Sequence, residues 1–272
     1  MPGVELLRAD LLHDGSDRAL ERLLADSDVV VNAAGSGWRG TLEQMLDAYA
    51  VLVERLLRLI PPHIRLVQLG TVHEYGEISP HEAADEDHPE QPSTPYGQAK
   101  LMGSRSILAA AAEGRTDAVV LRVTNVCGPG APAGSLLGSL TKRLQELPPG
   151  GRLDLAVTPD MRDFIDIRDV ADAVVRAAAA PAAGLVVNIG RGEVHAVSDV
   201  VEMMADVAGL PRSRLLMNVA AGPESPGGSS CTNVDVRRAQ AVLGWSHVTR
   251  LRDSLRDQWE AAVPPGAQVA DA

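Results

Sequence analysis

Short, uninterrupted apolar runs alternate along this chain with longer amphipathic stretches. Residues 28–31, 64–69 and 118–123 are such runs, the pattern of strands buried on both faces of a parallel sheet. Between them lie helical periodicities. One covers 17–24, with Leu20, Leu23 and Leu24 on one face; a second covers 41–60 and stops at Pro61 and Pro62; a third, 95–112, opens at Pro95 with Ser93 or Thr94 as its cap. Residues 4–7 read as a further short strand that ends at Ala9, Asp10 and Leu11. Later segments predict a helix near 136–147, strands at 152–156 and 164–167, a helix at 169–180, a strand at 186–189, a helix at 197–208, a segment at 236–243 and a last helix at 251–262. Loop chemistry fills 77–94 and 128–134, and the tail after Pro264 reads as disordered.

Strands that alternate with helices, without alternating in polarity themselves, predict an α/β fold built on a doubly wound parallel sheet. Around Gly128 the character changes to loops, short helices and short strands, which predicts a smaller C-terminal lobe.

Composition narrows the classes of ligand. Apolar residues are 45% of the 272 and aromatics only 3%, so the core is built from Ala, Val and Leu. The net charge of −11 excludes nucleic acid, whose binders carry basic stripes, and an anionic membrane surface. An anionic small ligand stays open, because a few local arginines suffice to hold it. Cys127 and Cys231 are far apart with no CxxC, which predicts neither a disulfide framework nor a metal site and makes a reducing cytoplasm the default. No apolar run reaches membrane-spanning length and Met1-Pro2-Gly3 does not open a signal peptide.

Four local features follow one another. Asn32-Ala33-Ala34-Gly35 ends a buried strand; residues 70–76 (Gly-Thr-Val-His-Glu-Tyr-Gly) end the next; Tyr96 and Lys100 open a helix; residues 122–129 end the third strand. Strand C-terminal ends at one edge of a parallel sheet are where ligands bind. Tyr96 and Lys100 are four apart and share a helix face. An ammonium beside a phenol favours the phenolate, so a tuned tyrosine exchanges a proton with an alcohol or carbonyl oxygen, and the Thr71 hydroxyl holds the same oxygen. This is carbonyl reduction or its reverse, and the hydride has to come from a nicotinamide. Taken alone, a YxxxK spacing also fits a surface pair, and Thr71 also fits a strand-end cap.

In these motifs the sequence resembles the NAD-dependent epimerase/dehydratase branch of the extended short-chain dehydrogenases/reductases. Residues 162–171 resemble the family's RDFxxVxDVA segment, and Val187-Asn188-Ile189-Gly190 and Leu243-Gly244-Trp245 resemble its later landmarks. The resemblance implies a nucleotide-sugar substrate, NADP or NAD as cofactor, and Thr71, Tyr96 and Lys100 as the catalytic set. It implies that Asp10 and Leu11 contact adenine, that Ala33, Ala34 and Gly35 line the dinucleotide path with Tyr96 and Lys100, and that Asn125 and Arg162 touch the substrate's nucleotide diphosphate. Arg162 suits that task on chemical grounds also, since a guanidinium grips phosphate bidentately. The organisation implied is an incomplete dinucleotide-binding domain over 1–130, a substrate lobe over 131–264 with elements returning to the first domain, and a disordered tail over 265–272. A homodimer is implied, pairing the helices 41–60 and 95–112 as a four-helix bundle, although packing on the sheet explains their apolar residues equally.

Departures narrow the reaction. Where the family's 4,6-dehydratases have an Asp-Glu pair after the threonine, this chain has Val72 and His73; elimination of water needs an acid and a base there. The cysteine of the 3,5-epimerase-reductases is absent from that place as well. A 4-ketoreductase and a 4-epimerase remain, and the wording of 73–76 and 228–235 resembles reductases of nucleotide-activated 4-keto-6-deoxyhexoses. His73 fits either a substrate-pocket acid or a partly buried polar loop residue. Ser225 stands where the family often has a second diphosphate arginine. Residues 35–40 spell GxGxxG after a strand and before a helix, but the acidic partner expected at the end of a following strand would be Glu54, inside the helix 41–60. The pattern therefore reads as a decoy. No glycine-rich turn precedes Val4, which predicts a truncated chain whose 4–7 strand lacks its neighbours unless it moves to pair beside 29–31. It leaves a third reading beside the two enzymes: a non-catalytic remnant that binds a nucleotide sugar or a partner.

Overall fold

The computed structural model describes residues 4–35, 40–181, 183–219 and 231–262. Helix α1 (Asp17–Ala25) leads to strand β1 (Val29–Asn32). Thr41 then caps α2 (Leu42–Leu46) by a capping box with Gln44, and a π-helical turn (Asp47–Val51) joins it to α3 (Leu52–Leu59). Strand β2 (Arg65–Thr71) runs into a 3-10 turn (Val72–Glu74), and α4 (Pro95–Ala112) is followed by β3 (Asp117–Val123). Next come β4 (Asn125–Cys127), α5 (Leu136–Gln145), β5 (Leu153–Val157), β6 (Met161–Asp166), α6 (Ile167–Ala179), β7 (Leu185–Ile189), β8 (Val194–Ala196), α7 (Val197–Val207), β9 (Leu215–Val219), α8 (Arg237–Leu243) and α9 (Leu251–Ala262).

The main sheet has the order β1-β2-β3-β7, and every pairing in it is parallel. Its strands β2, β3 and β7 read as continuous apolar runs because each face meets a different helical layer. Val67, Val119, Leu121 and Ile189 pack against Val170, Ala173 and Ala177 of α6 and against Trp245. Leu66, Ala118 and Val120 pack against Leu52, Val53 and Leu56 of α3 and Ile107 of α4. A fully buried valine or leucine of this kind contributes ~1.5–3 kcal/mol. Strands β4, β6 and β8 make a second sheet and β5 with β9 a third; α5, α7 and α9 close a separate apolar cluster over them around Leu140, Val200, Met204 and Leu255.

Three expectations are corrected. Residues 4–7 form no strand: residues 4–10 are exposed, Leu6 to 93%, and pair with no strand among the described residues. Backbone groups without a ladder partner are left to water. Strand β1 is not buried on both faces, for it pairs only with β2 among the described residues, and Val29 and Val31 are 37% and 45% exposed. On α1 only Leu24 is buried, while Leu23 faces solvent. The short strands β4, β8 and β9 went unpredicted. The glycine pattern 35–40 has residues 36–39 outside the described part, as are Ser225, residues 228–230 and the tail after Pro264. Glu54 does lie within a helix, α3.

Candidate active site

The site is built where β2 ends against the start of α4. Thr94 caps α4 by accepting from Gly97 N at 3.1 Å, and Pro95 occupies its first turn. This settles the cap between Ser93 and Thr94. Tyr96 and Lys100 follow one turn apart. Gly97 lets α4 approach the chain after β2, since a Cβ there would stand 2.5 Å from His73 O.

Thr71 is the last residue of β2 and caps the turn Val72–Glu74: its hydroxyl accepts from His73 N at 3.4 Å, and its own N–H donates to Glu74 Oε1 at 2.9 Å. The same hydroxyl stands within hydrogen-bonding reach of the Tyr96 phenol. Cap and catalytic placement are thus compatible in one residue. Tyr96 is held protonated, its pKa raised foremost by burial and further by Tyr49 and Glu74.

Lys100 differs from expectation in its aim. The ammonium does not lie among the groups that tune the Tyr96 phenol. It donates to Leu69 O at 2.8 Å and sits 4.6 Å from the centroid of the Tyr49 ring. A buried ammonium requires acceptors, and the end of β2 and this ring supply them. Burial lowers the Lys100 pKa to about 8, and the Glu74 carboxylate opposes that fall. Tyr49 comes from the π-helical turn and meets the Tyr96 ring edge-on, 5.3 Å away at 83°. Its seat depends on glycine twice, because a Cβ on Gly35 would collide with the ring and one on Gly103 with Tyr49 O.

His73 also meets Tyr96 edge-on, ring centroids 6.1 Å apart. Burial, with the Arg162 charge beside it, pushes the His73 pKa down to about 4, so the imidazole is neutral near pH 7. This argues against the acid reading and for a neutral hydrogen-bonding group. Its Nδ1 and the Nε of Arg162 are buried without a partner among the described residues. Arg162 lies on β6 and gives Nη2 to Asp160 Oδ2 at 2.9 Å. Asn125, on β4, directs both amide hydrogens into the protein, to Asp163 O at 3.0 Å and Thr232 Oγ1 at 2.9 Å; its Oδ1 is the atom left for a ligand.

Ala33, Ala34 and Gly35 follow β1 at the same edge of the sheet as Thr71. Leu11 packs into the cluster that includes Ala34, which brings it near that path. Asp10 instead closes a local turn, its Oδ1 accepting from Leu12 N at 2.9 Å. Sequence reading missed Tyr49 and Glu74. Tyr49 carries no spacing signal, and Glu74 was visible only as a neighbour of Thr71. Among the described residues no group of three or more metal-ligating side chains forms, and no helix is long and apolar enough to cross a membrane.

The chemistry of the donor set fits a nicotinamide nucleotide. Lys100 has three ammonium hydrogens and one goes to Leu69 O, so two remain for ligand hydroxyls, beside the Thr71 and Tyr96 hydroxyls.

Comparison with known proteins gives the family. The profile of the NAD dependent epimerase/dehydratase family matches residues 2–190. A dTDP-6-deoxy-L-talose 4-dehydrogenase (NAD(P)(+)) of Kitasatospora kifunensis is 38% identical over 244 residues, covering 86% of this chain and 75% of that protein. The UDP-glucuronic acid 4-epimerase from Bacillus cereus, solved with UDP-glucuronic acid and NAD, matches with a TM-score of 0.81 at 26% identity, covering 94% of this chain and 80% of the other. RMD from Pseudomonas aeruginosa, solved with NADPH, matches with a TM-score of 0.80 at 21% identity, covering 94% and 87%; at that identity the likeness concerns the fold. Profile, relative and sheet edge converge, and the chain belongs to the NAD dependent epimerase/dehydratase family.

Proposed function

We propose that this chain interconverts a nucleotide-activated 4-keto-6-deoxy sugar and its 4-hydroxy counterpart, with NADPH or NADH as the hydride donor in the direction of reduction. The observation that carries the reading is the Thr71 hydroxyl within reach of the Tyr96 phenol at the end of β2, with Lys100 one turn along α4. When bound, the nicotinamide supplies or takes the hydride. Lys100, Tyr96 and Ala33–Gly35 would hold that cofactor.

Thr71 and Tyr96 offer two hydroxyls to one carbonyl oxygen. As that oxygen gains electrons, Tyr96, kept protonated by its surroundings, gives it a proton, while Lys100, held against Leu69 O and the Tyr49 ring, serves the cofactor's hydroxyls. Arg162 takes the diphosphate, and neutral His73 offers the sugar a hydrogen bond. Beside Thr71 stand apolar Val72 and neutral His73, which gives an elimination no acid–base pair at that place. The relative named as a 4-dehydrogenase supports the reaction; relatives named as UDP-glucose and UDP-arabinose 4-epimerases support C4 chemistry in general.

The test incubates the chain with NADPH or NADH and a dTDP-4-keto-6-deoxy sugar and follows cofactor oxidation and sugar products. Cofactor consumed in step with 4-hydroxy sugar is the expected result. C4 inversion of a nucleotide sugar without net consumption would assign the chain to the epimerases. A folded chain that binds neither cofactor at millimolar concentration would make it the remnant.

The same reading includes a homodimer. Leu42, Val51 and Met102, exposed on α2, the π-helical turn and α4, support it, and sedimentation of the wild type against Met102→Glu tests it.

A further inference from the structure

The catalytic groups stand on a buried chain of charges that reaches the surface. Glu74 is fully buried, and its Oε2 accepts from Arg122 Nε at 2.8 Å while its Oε1 accepts from Thr71 N at 2.9 Å. Arg122, on β3 and also fully buried, stacks 4.5 Å from the Tyr75 ring centroid and gives its Nη2 to Glu90. Glu90 in turn accepts from the exposed Arg105, Nε to Oε2, at 2.9 Å. Gly70, the register partner of Arg122, leaves the space: a Cβ there would stand 2.7 Å from Glu74 Oε1. Since Arg122 serves two carboxylates, Glu74 retains part of its charge toward the site. Burying two charges in this way is costly, and the mechanism derived from Thr71, Tyr96 and Lys100 makes no use of either.

We propose that Glu74 is a positioning residue of the proton-transfer site: clamped by Arg122, it fixes the backbone of Thr71 and supplies the buried negative charge that lets Lys100 stand as an ammonium between Leu69 O and the Tyr49 ring. The inference rests on the proposed carbonyl chemistry but is separable from it. The groups that act on Lys100 are Glu74, from the turn after β2, and Tyr49, from the π-helical turn; Arg122, from β3, faces Glu74. Glu74 is the charge that raises the Lys100 pKa against burial, and it also favours the protonated form of Tyr96. Both groups are thereby kept loaded with their protons.

The sequence makes the test direct, because its lysines are Lys100 and Lys142 alone. Protein carrying 13C-labelled lysine gives one side-chain signal for each, and Lys142, which is 61% exposed, is the internal reference. In Glu74→Gln the Lys100 midpoint should fall by about one pH unit or more, with Lys142 unmoved. An unmoved Lys100 in a folded variant overturns the proposal. Should Glu74→Gln not fold, Glu74→Asp keeps the charge and withdraws it from Thr71. Exchange of the Thr71 amide hydrogen should then accelerate about tenfold or more while Lys100 titrates as in the wild type, and an unchanged Thr71 amide overturns the positioning role. In turnover, Glu74→Gln should lower kcat and shift its pH profile with little change in KM. A shifted Lys100 in a chain that turns over no ketosugar would leave this inference standing and remove the assigned reaction.

Discussion

The Lys100 ammonium and the Tyr49 ring lie face to face at 4.6 Å, and the same ring braces Tyr96 edge-on. One aromatic side chain therefore orients both members of the YxxxK pair. A desolvated cation–π contact contributes ~0.5–2 kcal/mol. Tyr49→Leu should weaken the charged form of Lys100 by that amount and lower kcat several-fold, with KM for the sugar little changed. Gly35→Ala, whose added methyl meets the ring, should act in the same direction. Steady-state kinetics of the two variants check this, and wild-type kcat in both would reduce Tyr49 to a space filler.

Thr71 performs two tasks that substitution can separate. Thr71→Ser keeps a hydroxyl for both the cap and the substrate oxygen and should retain most of the activity. Thr71→Val loses both, with ~1 kcal/mol of stability and ~10–100-fold of kcat. Tyr96→Phe, which removes the proton itself, should cost ~100-fold or more without unfolding the chain, since the ring contact with Tyr49 survives. Cofactor titration by nicotinamide fluorescence alongside kcat separates lost chemistry from lost binding.

Much of this was legible from periodicity. The helices and the strands β2, β3 and β7 are local patterns, and Thr71, Tyr96 and Lys100 are spaced so that a strand end and one helix turn gather them. What failed was non-local. Whether the valines of β1 are covered depends on a neighbour strand, not on their own apolarity, and whether residues 4–7 form a strand depends on a partner. The pairing of Lys100 with Leu69 O and Tyr49 depends on how α4 crosses the π-helical turn, which Gly103 permits and no spacing announces. Glu74 and Arg122 are far apart in sequence and become a pair only because β2 and β3 are adjacent.

His73 carries a pH signature. In the folded chain it stays neutral down to about pH 4, whereas unfolded it takes a proton near 6.5. Below pH 6.5 the unfolded state thus binds the extra proton. The stabilising term is complete above that pH and is lost between 6.5 and 4, by about 3 kcal/mol at most. His73→Gln should remove this part of the acid sensitivity. Urea unfolding of both proteins at about pH 7.5 and 5 measures it, and equal acid losses in the two would show that His73 is not buried as neutral imidazole.

Asp163 runs in the opposite sense. Fully buried on β6, it accepts from Arg191 N at 2.9 Å, from Gly192 N at 2.8 Å and from Thr124 Oγ1 at 3.4 Å, so it ties the loop after β7 to the strand that carries Arg162. Burial pushes its pKa up to about 6, although the backbone N–H donors pull it down. Between pH 3.8 and 6 the folded state holds a proton that the unfolded state has released. The contribution is therefore full below 3.8 and lost as pH rises through 6, by about 3 kcal/mol at most. Asp163→Asn cannot titrate, and its amide would turn donors toward the backbone N–H groups, costing ~1–3 kcal/mol. Comparing the variant with the wild type cancels the other groups that titrate in this range. Its deficit in unfolding free energy should be larger near pH 4.5 than near pH 7.5, and a deficit that widens as pH rises would mean that the ionised carboxylate is the form the fold prefers.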